Sequence, residues 1–145
     1  MTYSYEHPRP AVTVDIVLFA QHEGVPSVLL IRRAHDPFQG AWALPGGFVD
    51  EMEDLDAAAA RELEEETGLA GLSLAQVGAF GKPGRDPRGH TVSIAYGARL
   101  ESAPAAIAGD DAAEAAWHPL NALPTLAFDH DDVIALARKR IVEKC

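Results

Sequence analysis

The sequence predicts an α/β or α+β sandwich in which strands interleave with two helices, and three patterns support that reading. Val12, Val14, Ile16 and Leu18 alternate along the chain, as residues on one face of a strand do. Leu55, Ala59, Leu63 and Thr67 recur at four-residue steps and make the seam of a helix. Val133, Ile134, Ala137 and Ile141 share a second helical face near the last residues. Strand-type segments fill the chain between these two helices, which argues against a helix bundle.

A short polar arm precedes the first strand. His22 to Pro26 reads as a turn and Ser27 to Arg32 as a returning strand, so the two strands form a hairpin. The stretch PFQGAWALPGGFV, Pro37 to Val49, is punctuated by prolines and glycines and reads as a loop and a short strand. Phe38 and Trp42 within it are expected to anchor the core. The first helix spans about residues 55–67. Asp54 or Asp56 can cap its start, Ala57 to Ala60 has the highest helix propensity, and Gly68 sits where a left-handed C-terminal cap belongs. Leu72 to Phe80 and Thr91 to Leu100 read as strands around the loop GKPGRDPRGH. Ala103 to Ala113 is an alanine-rich, acidic connection expected to be mobile. Trp117 begins a last short strand or turn, and Asp129 or Asp131 caps the terminal helix. No segment repeats.

The chemistry concentrates on the first helix. Glu62, Glu64, Glu65 and Glu66 fall within five residues, and like charges three or four apart on a helix repel by about 0.2–0.5 kcal/mol a pair. A charge run ordinarily means a solvated face. Here Glu62 and Glu66 project along the edge of the buried seam with Glu65 beside them, at a border between core and solvent where a hydrated divalent ion can be held.

The residues around these acids are as specific as the acids. Gly47, Glu53, Arg61, Glu62, Leu63, Glu65, Glu66, Gly68 and Leu69 stand at the spacing of the Nudix box, a nine-position match over 23 residues. The chain resembles a Nudix hydrolase. The flanking segments LLIRRA, WALPGGF and RDPRGHTVSIAY are also similar to that family. The resemblance implies an α/β/α sandwich with a mixed, partly antiparallel sheet, and a box that folds as loop, helix and loop. It implies that Glu62, Glu65 and Glu66, with the Gly47 carbonyl, hold Mg2+ or Mn2+ bridging a diphosphate. It gives Glu53 and Arg61 the work of bracing the loop and orienting those glutamates. The general base is implied among Glu65, Asp111 and Glu114, the last two lying before the final strand.

Composition sets limits. A chain of 145 residues with 48% hydrophobic content reads as one domain, 1–145. No apolar run is long enough to span a bilayer and no secretory leader is evident, so a cytoplasmic location is expected. The only cysteine is Cys145, which excludes an intrachain disulfide. A net charge of −10 argues against general nucleic-acid binding, which depends on lysine and arginine. The expected partners are a small nucleotide-diphosphate substrate and, at most, a second copy of the chain in a homodimer, with neither nucleic acid nor membrane.

Nine of the 22 acids lie between Asp50 and Glu66, so an anionic substrate needs cations to offset them. The loop Gly81 to His90 supplies Arg85 and Arg88, whose forked donors suit phosphate oxygens. As exposed loop residues they are expected to matter little to stability. Read without the family, the loop is equally an ordinary surface turn with an Asp86–Arg88 pair. Pro83 follows Gly68 by 15 residues, a spacing that resembles Nudix enzymes acting on ADP-ribose. That resemblance implies cleavage of ADP-ribose to AMP and ribose 5-phosphate. The alternatives are an oxidised nucleoside triphosphate, a dinucleotide or a sugar nucleotide as substrate, or a domain that senses ADP-ribose without cutting it. His90 and His130 are left outside the site, because a metal mechanism requires neither.

Overall fold

The computed structural model describes residues 2–109 and 111–143, so Cys145 lies outside the described residues. Its central strand, β1 (Ala11–His22), is buried from Thr13 to Ala20 on both faces. The alternation of Val12, Val14, Ile16 and Leu18 marks only one of them. Val14, Ile16 and Leu18 pack with Leu29, Tyr96 and the helix residues Ala58, Ala59 and Leu63. Val17 and Phe19 point the other way, into a core with Leu44, Val77, Val133, Ile134 and Ala137. A strand apolar on both sides separates two cores, and a helix covers each, which is the expected three-layer sandwich.

Strand β2 (Val25–Arg33) returns antiparallel through a two-residue turn in which Glu23 and Gly24 have φ of 53° and 76°. Positive φ at both positions is the geometry whose twist matches a hairpin. Strands β3 (Trp42–Ala43), β4 (Gly46–Phe48), β5 (Ala75–Phe80), β6 (Thr91–Ser102) and β7 (Ala112–Pro119) complete the sheet. The spatial order is β3-β2-β1-β6-β5, with β4 also on β1 and β7 also on β2. The β1–β6 pair is parallel and the others antiparallel, so the sheet is mixed.

One detail of the pairing creates the site. β1 and β2 are registered from His22–Val25 to Phe19–Val28, and beyond that they part. β4 takes over the edge of β1 at Thr13 to Asp15, and β3 that of β2 at Ile31 and Arg32. The wedge between them opens beside helix α1 (Leu55–Thr67).

The bounds of α1 are those the sequence predicts. Asp54 is its cap, accepting from the Asp56 amide at 3.0 Å, and Gly68 closes it at φ 75°. Other elements differ from expectation. β5 begins at Ala75 rather than Leu72, because Gly71 turns the chain at φ 75° and Leu72 and Leu74 drop onto the α1 side of the core. β6 runs two residues further, to Ser102. β7 begins at Ala112, five residues before Trp117, because alanines that carry little strand signal of their own pair with β2. The alanine-rich connection read as mobile is pinned: Ala103 donates to the Gln21 carbonyl, Ile107 to that of Thr67 and Gly109 to that of Glu66. Phe38, expected in the core, is 43% exposed and meets Phe128 edge-on at 4.8 Å. Trp42 does pack against the core.

Asp129 stands at the start of α2 (His130–Ala137), but its side chain makes no capping bond. A π-helical turn, Arg138–Val142, follows and lays Ile141 over β6. No helix among the described residues is long and apolar enough to cross a membrane.

The packing of that turn makes Gly97 a test of the fold. A Cβ at Gly97 would collide with the Ile141 side chain and stand 2.9 Å from the Val17 carbonyl oxygen. Gly97→Ala is expected to lose about 1–3 kcal/mol, the usual cost of overpacking, read as a lower urea midpoint at an unchanged slope.

Candidate active site

Two glycines hold β4 against both β1 and α1. A Cβ at Gly46 would overlap the Val14 carbonyl and lie 2.6 Å from Asp15 Oδ1, and one at Gly47 would lie 2.5 Å from Glu62 Oε2. With no side chains there, the backbone meets the helix carboxylates directly. The Gly46 amide donates to Glu66 Oε1 at 2.7 Å. Glu66 is only 7% exposed, deeper than the border position its helix register suggests. Burial pushes its carboxyl up to about 8 against the pull of the Gly46 bond. Burial likewise raises Glu62 above the usual carboxylate range, although Arg61 opposes it.

Arg61 ties the box together. Its Nε and Nη2 donate to Glu53 at 2.7 and 2.8 Å, and Nη2 also reaches the Phe48 carbonyl at 3.1 Å. Nη1 donates to Glu62 at 2.9 Å and to Glu65 at 3.2 Å. The forked contact holds Glu53 down at about 2, helped by the Asp50 amide. Glu65 is the most exposed of the three helix acids and does not line the cavity, whereas Glu62, Glu66 and Gly47 do. Among the described residues no three acids or histidines are already drawn together at ligating distance. A guanidinium nitrogen lies instead between Glu62 and Glu65, as a cation would. Every donor here is an oxygen, carboxylate or carbonyl, which is the set a hard divalent ion takes.

The cavity in front of these acids holds about 400 Å³. Seven carboxylates line it against three guanidiniums, Arg33, Arg85 and Arg88, so a phosphate entering without a metal meets a net repulsion. The arginines differ in how far they are free to act. Arg85 is not an exposed loop residue: its side chain is 5% exposed, and Nε and Nη2 grip Asp129 at 3.0 and 2.6 Å. Arg88 is engaged as well, with Nε and Nη2 on Asp86 at 3.1 and 2.8 Å and its guanidinium 4.7 Å from the Phe48 ring centre. Arg33, which sequence reasoning missed, spends only Nε, on the Pro37 carbonyl at 2.6 Å. Its guanidinium stacks 5.1 Å from the Phe128 ring centre, and no hydrogen bond of its two terminal nitrogens is found among the described residues. The signal was available in strand alternation. Arg32 and Arg33 point to opposite faces, Arg32 to Glu114 on the surface and Arg33 into the cavity.

Asp111 also lines the cavity, 3.8 Å from His35. Glu114 does not: its side chain is 54% exposed and paired with Arg32 at 3.4 Å. Pro83 is an exposed turn residue outside the lining. His90 is exposed beside the Gly81 carbonyl. His130, set aside in the sequence, faces the cavity at 3% exposure. Its Nδ1 accepts from the Leu44 amide at 3.0 Å, and its Nε2 lies 3.4 Å from Asp15 Oδ1. Asp15 is buried too, and Ser93 donates to its Oδ2 at 2.5 Å.

Comparison with known proteins bears on the family and the fold. The NUDIX domain family matches residues 9–137. The chain is 44% identical over 131 residues to the ADP-ribose pyrophosphatase of Methanocaldococcus jannaschii, covering 87% of this chain and 72% of that protein. It is 38% identical over 143 residues to the ADPR responsive transcriptional repressor NtrR of Acinetobacter baylyi, of whose length it spans 57%. The solved NUDIX domain of Shewanella oneidensis NrtR complexed with ADP ribose superposes with a TM-score of 0.87 at 37% identity, over 92% of this chain and 90% of that one.

Two outcomes follow from the buried charges. Arg85→Ala leaves Asp129 without its partner and is expected to destabilise the fold by about 3 kcal/mol, against a small effect for the more exposed Arg88→Ala. Thermal and urea unfolding check both. Glu66 has its folded value raised from 4.5 to about 8. Its contribution is therefore fully present below pH 4.5 and is lost as pH rises toward 8, by at most about 1.4 kcal/mol per pH unit. Glu66→Gln in metal-free buffer is expected to unfold later than wild type at pH 8.5 and to lose most of that advantage at pH 5.

Proposed function

The chain belongs to the NUDIX domain family, and on that premise we propose that it is a metal-dependent pyrophosphatase cutting ADP-ribose at its diphosphate into AMP and ribose 5-phosphate. The observation that carries the reading is the pairing of an intact box with 44% identity to an ADP-ribose pyrophosphatase across most of the chain. The fold shared with an ADP ribose-bound NUDIX domain supports the same ligand.

Glu62, Glu65, Glu66 and the Gly47 carbonyl would hold Mg2+ or Mn2+. Bound there, the ion neutralises diphosphate oxygens and lowers the pKa of the attacking water. The protein's own groups do the remaining work. The Asp50 amide holds Glu53, Glu53 holds Arg61, and Arg61 in turn fixes Glu62 and Glu65 by side-chain bonds. The pinned end of α1 keeps Glu66 on the Gly46 amide. Arg33 offers its two terminal nitrogens to phosphate oxygens, with Arg88 behind it on the same ring system. Asp111, exposed as it is, is the acid best placed to take the proton of the attacking water, because it lines the cavity and Glu114, paired with Arg32, does not. Arg85 acts through position: its grip on Asp129 fixes the loop from Gly81 to His90 against α2.

A sensor function has a specific basis in the likeness to an ADPR responsive repressor. The complete set of box acids favours catalysis, because a domain that only binds has no use for carboxylates crowded at an electrostatic cost. Chromatographic product analysis with Mg2+ and ADP-ribose distinguishes the two. AMP and ribose 5-phosphate are expected, with a kcat/KM above that for an oxidised guanine nucleotide, a diadenosine polyphosphate and a sugar nucleotide. Binding without turnover would make the domain a sensor. Glu65→Gln is expected to lower kcat by at least about a hundredfold, the scale of removing a positioned catalytic group, and Arg33→Ala to raise KM.

A further inference from the structure

The floor of the cavity differs in chemistry from its mouth. At the mouth, Phe48 is 41% exposed, and Arg33 and Arg88 stack on Phe128. At the floor, Asp15 and His130 are 7% and 3% exposed, and Arg85 Nη2 stands 4.0 Å from Asp15 Oδ2. Burying a carboxylate costs several kcal/mol unless its oxygens are satisfied. Asp15 is satisfied unevenly. Oδ2 takes the Ser93 hydroxyl at 2.5 Å, whereas among the described residues Oδ1 has His130 Nε2 at 3.4 Å as its one polar side-chain neighbour.

Gly46 keeps Oδ1 uncovered, because any Cβ at that position would stand 2.6 Å from it. The Leu44 amide occupies the lone pair of His130 Nδ1, so the ring proton sits on Nε2 and faces Asp15. Burial works against the charge of Asp15, but His130, Ser93 and Arg85 outweigh it, and the carboxyl lies below its usual range. Asp15, ionised and acceptor-only, therefore lines the cavity with Oδ1 held less closely than Oδ2. A phosphate is repelled there and a hydroxyl is not.

We propose that Asp15, oriented by His130 and Ser93, forms a sugar-hydroxyl subsite at the cavity floor. The substrate then lies with its terminal ribose innermost, its diphosphate between the box acids and Arg33, and its base at the phenylalanines of the mouth. The inference rests on the ADP-ribose reading and adds the direction in which that substrate lies. Two distances support this order. Gly46 joins the two regions, its amide on Glu66 and its α-carbon beside Asp15, so a sugar on Asp15 puts its attached phosphate at the box. The groups that the structure places against Asp15 are Ser93, His130, Arg85 and Gly46, none of them a phenylalanine that would stack a base, while Phe128 meets the His130 ring at 5.2 Å between centres.

The test compares ADP-ribose with the methyl ester of ADP, which keeps the adenosine and the diphosphate diester and lacks the second sugar. In Asp15→Asn the ratio of kcat/KM for ADP-ribose to that for the methyl ester is expected to fall about ten- to hundredfold, the worth of a hydrogen bond to a charged group. Equal losses on both substrates overturn the subsite, since that is the pattern of a pair that only holds the fold or of a carboxylate that reads the adenine amino group. If circular dichroism shows that Asp15→Asn does not fold, His130→Gln is judged on the same ratio, with the same two outcomes. If wild type cuts neither substrate, the proposed activity fails by itself. Calorimetry with the methylene-bridged analogues of both then decides the subsite. Tighter binding of the ribose-bearing analogue that is lost in the variant supports it, and equal binding overturns it.

Discussion

The site depends on the absence of two Cβ atoms. Strand β4 fits between β1 and α1 only because residues 46 and 47 are glycines, each with a neighbouring oxygen where a side chain would begin. Remove that fit and β4 moves off β1, the Gly46 amide leaves Glu66, and the wedge where β1 and β2 part has no floor. The sheet supplies the frame and the helix supplies the charge. Backbone without side chains is what lets the two meet at hydrogen-bond distance.

Charge is the second constraint. Glu62, Glu65 and Glu66 repel one another on one helix, and burial makes Glu62 and Glu66 harder still to ionise. Arg61 offsets part of this by reaching Glu53, Glu62 and Glu65 from a single side chain. It does not reach Glu66, whose one side-chain hydrogen bond among the described residues comes from the Gly46 amide. The box is thus balanced at its exposed end and unbalanced at its buried end. A divalent cation would complete the balance where the arginine stops, which joins metal affinity and folding in one set of contacts.

The local parts of this design were legible in the sequence, and the long-range parts were not. Helix α1 and its caps follow from Asp54, the alanines, the four-residue seam and Gly68, all within one turn of the features they determine. Alternation picks out only one face of β1, because it draws attention to every second residue. Val17 and Phe19, on either side of Leu18, make the run apolar on both faces, the pattern of a strand covered on both. Arg85 and Asp129 lie 44 residues apart, and only the folded loop brings them together. That pairing turned an expected surface arginine into a buried one and an expected helix cap into its counter-ion. His130 looked expendable as a lone histidine, while its actual partners, Leu44 and Asp15, lie far upstream in the chain.

The segment from Ala103 to Gly109 closes over the end of α1 by donating to the carbonyls of Thr67 and Glu66, and a Cβ at Gly109 would strike the Glu65 carbonyl. Its backbone, rather than its side chains, does the fastening. Ala105 and Ile107 point outward, with Ile107 76% exposed, so a change of side chain there leaves the clasp undisturbed. Gly109 has no such freedom. A stretch whose composition suggests a spacer therefore carries one position that admits no side chain, and its length is matched to the span from Gln21 to Glu66 rather than to any need for slack.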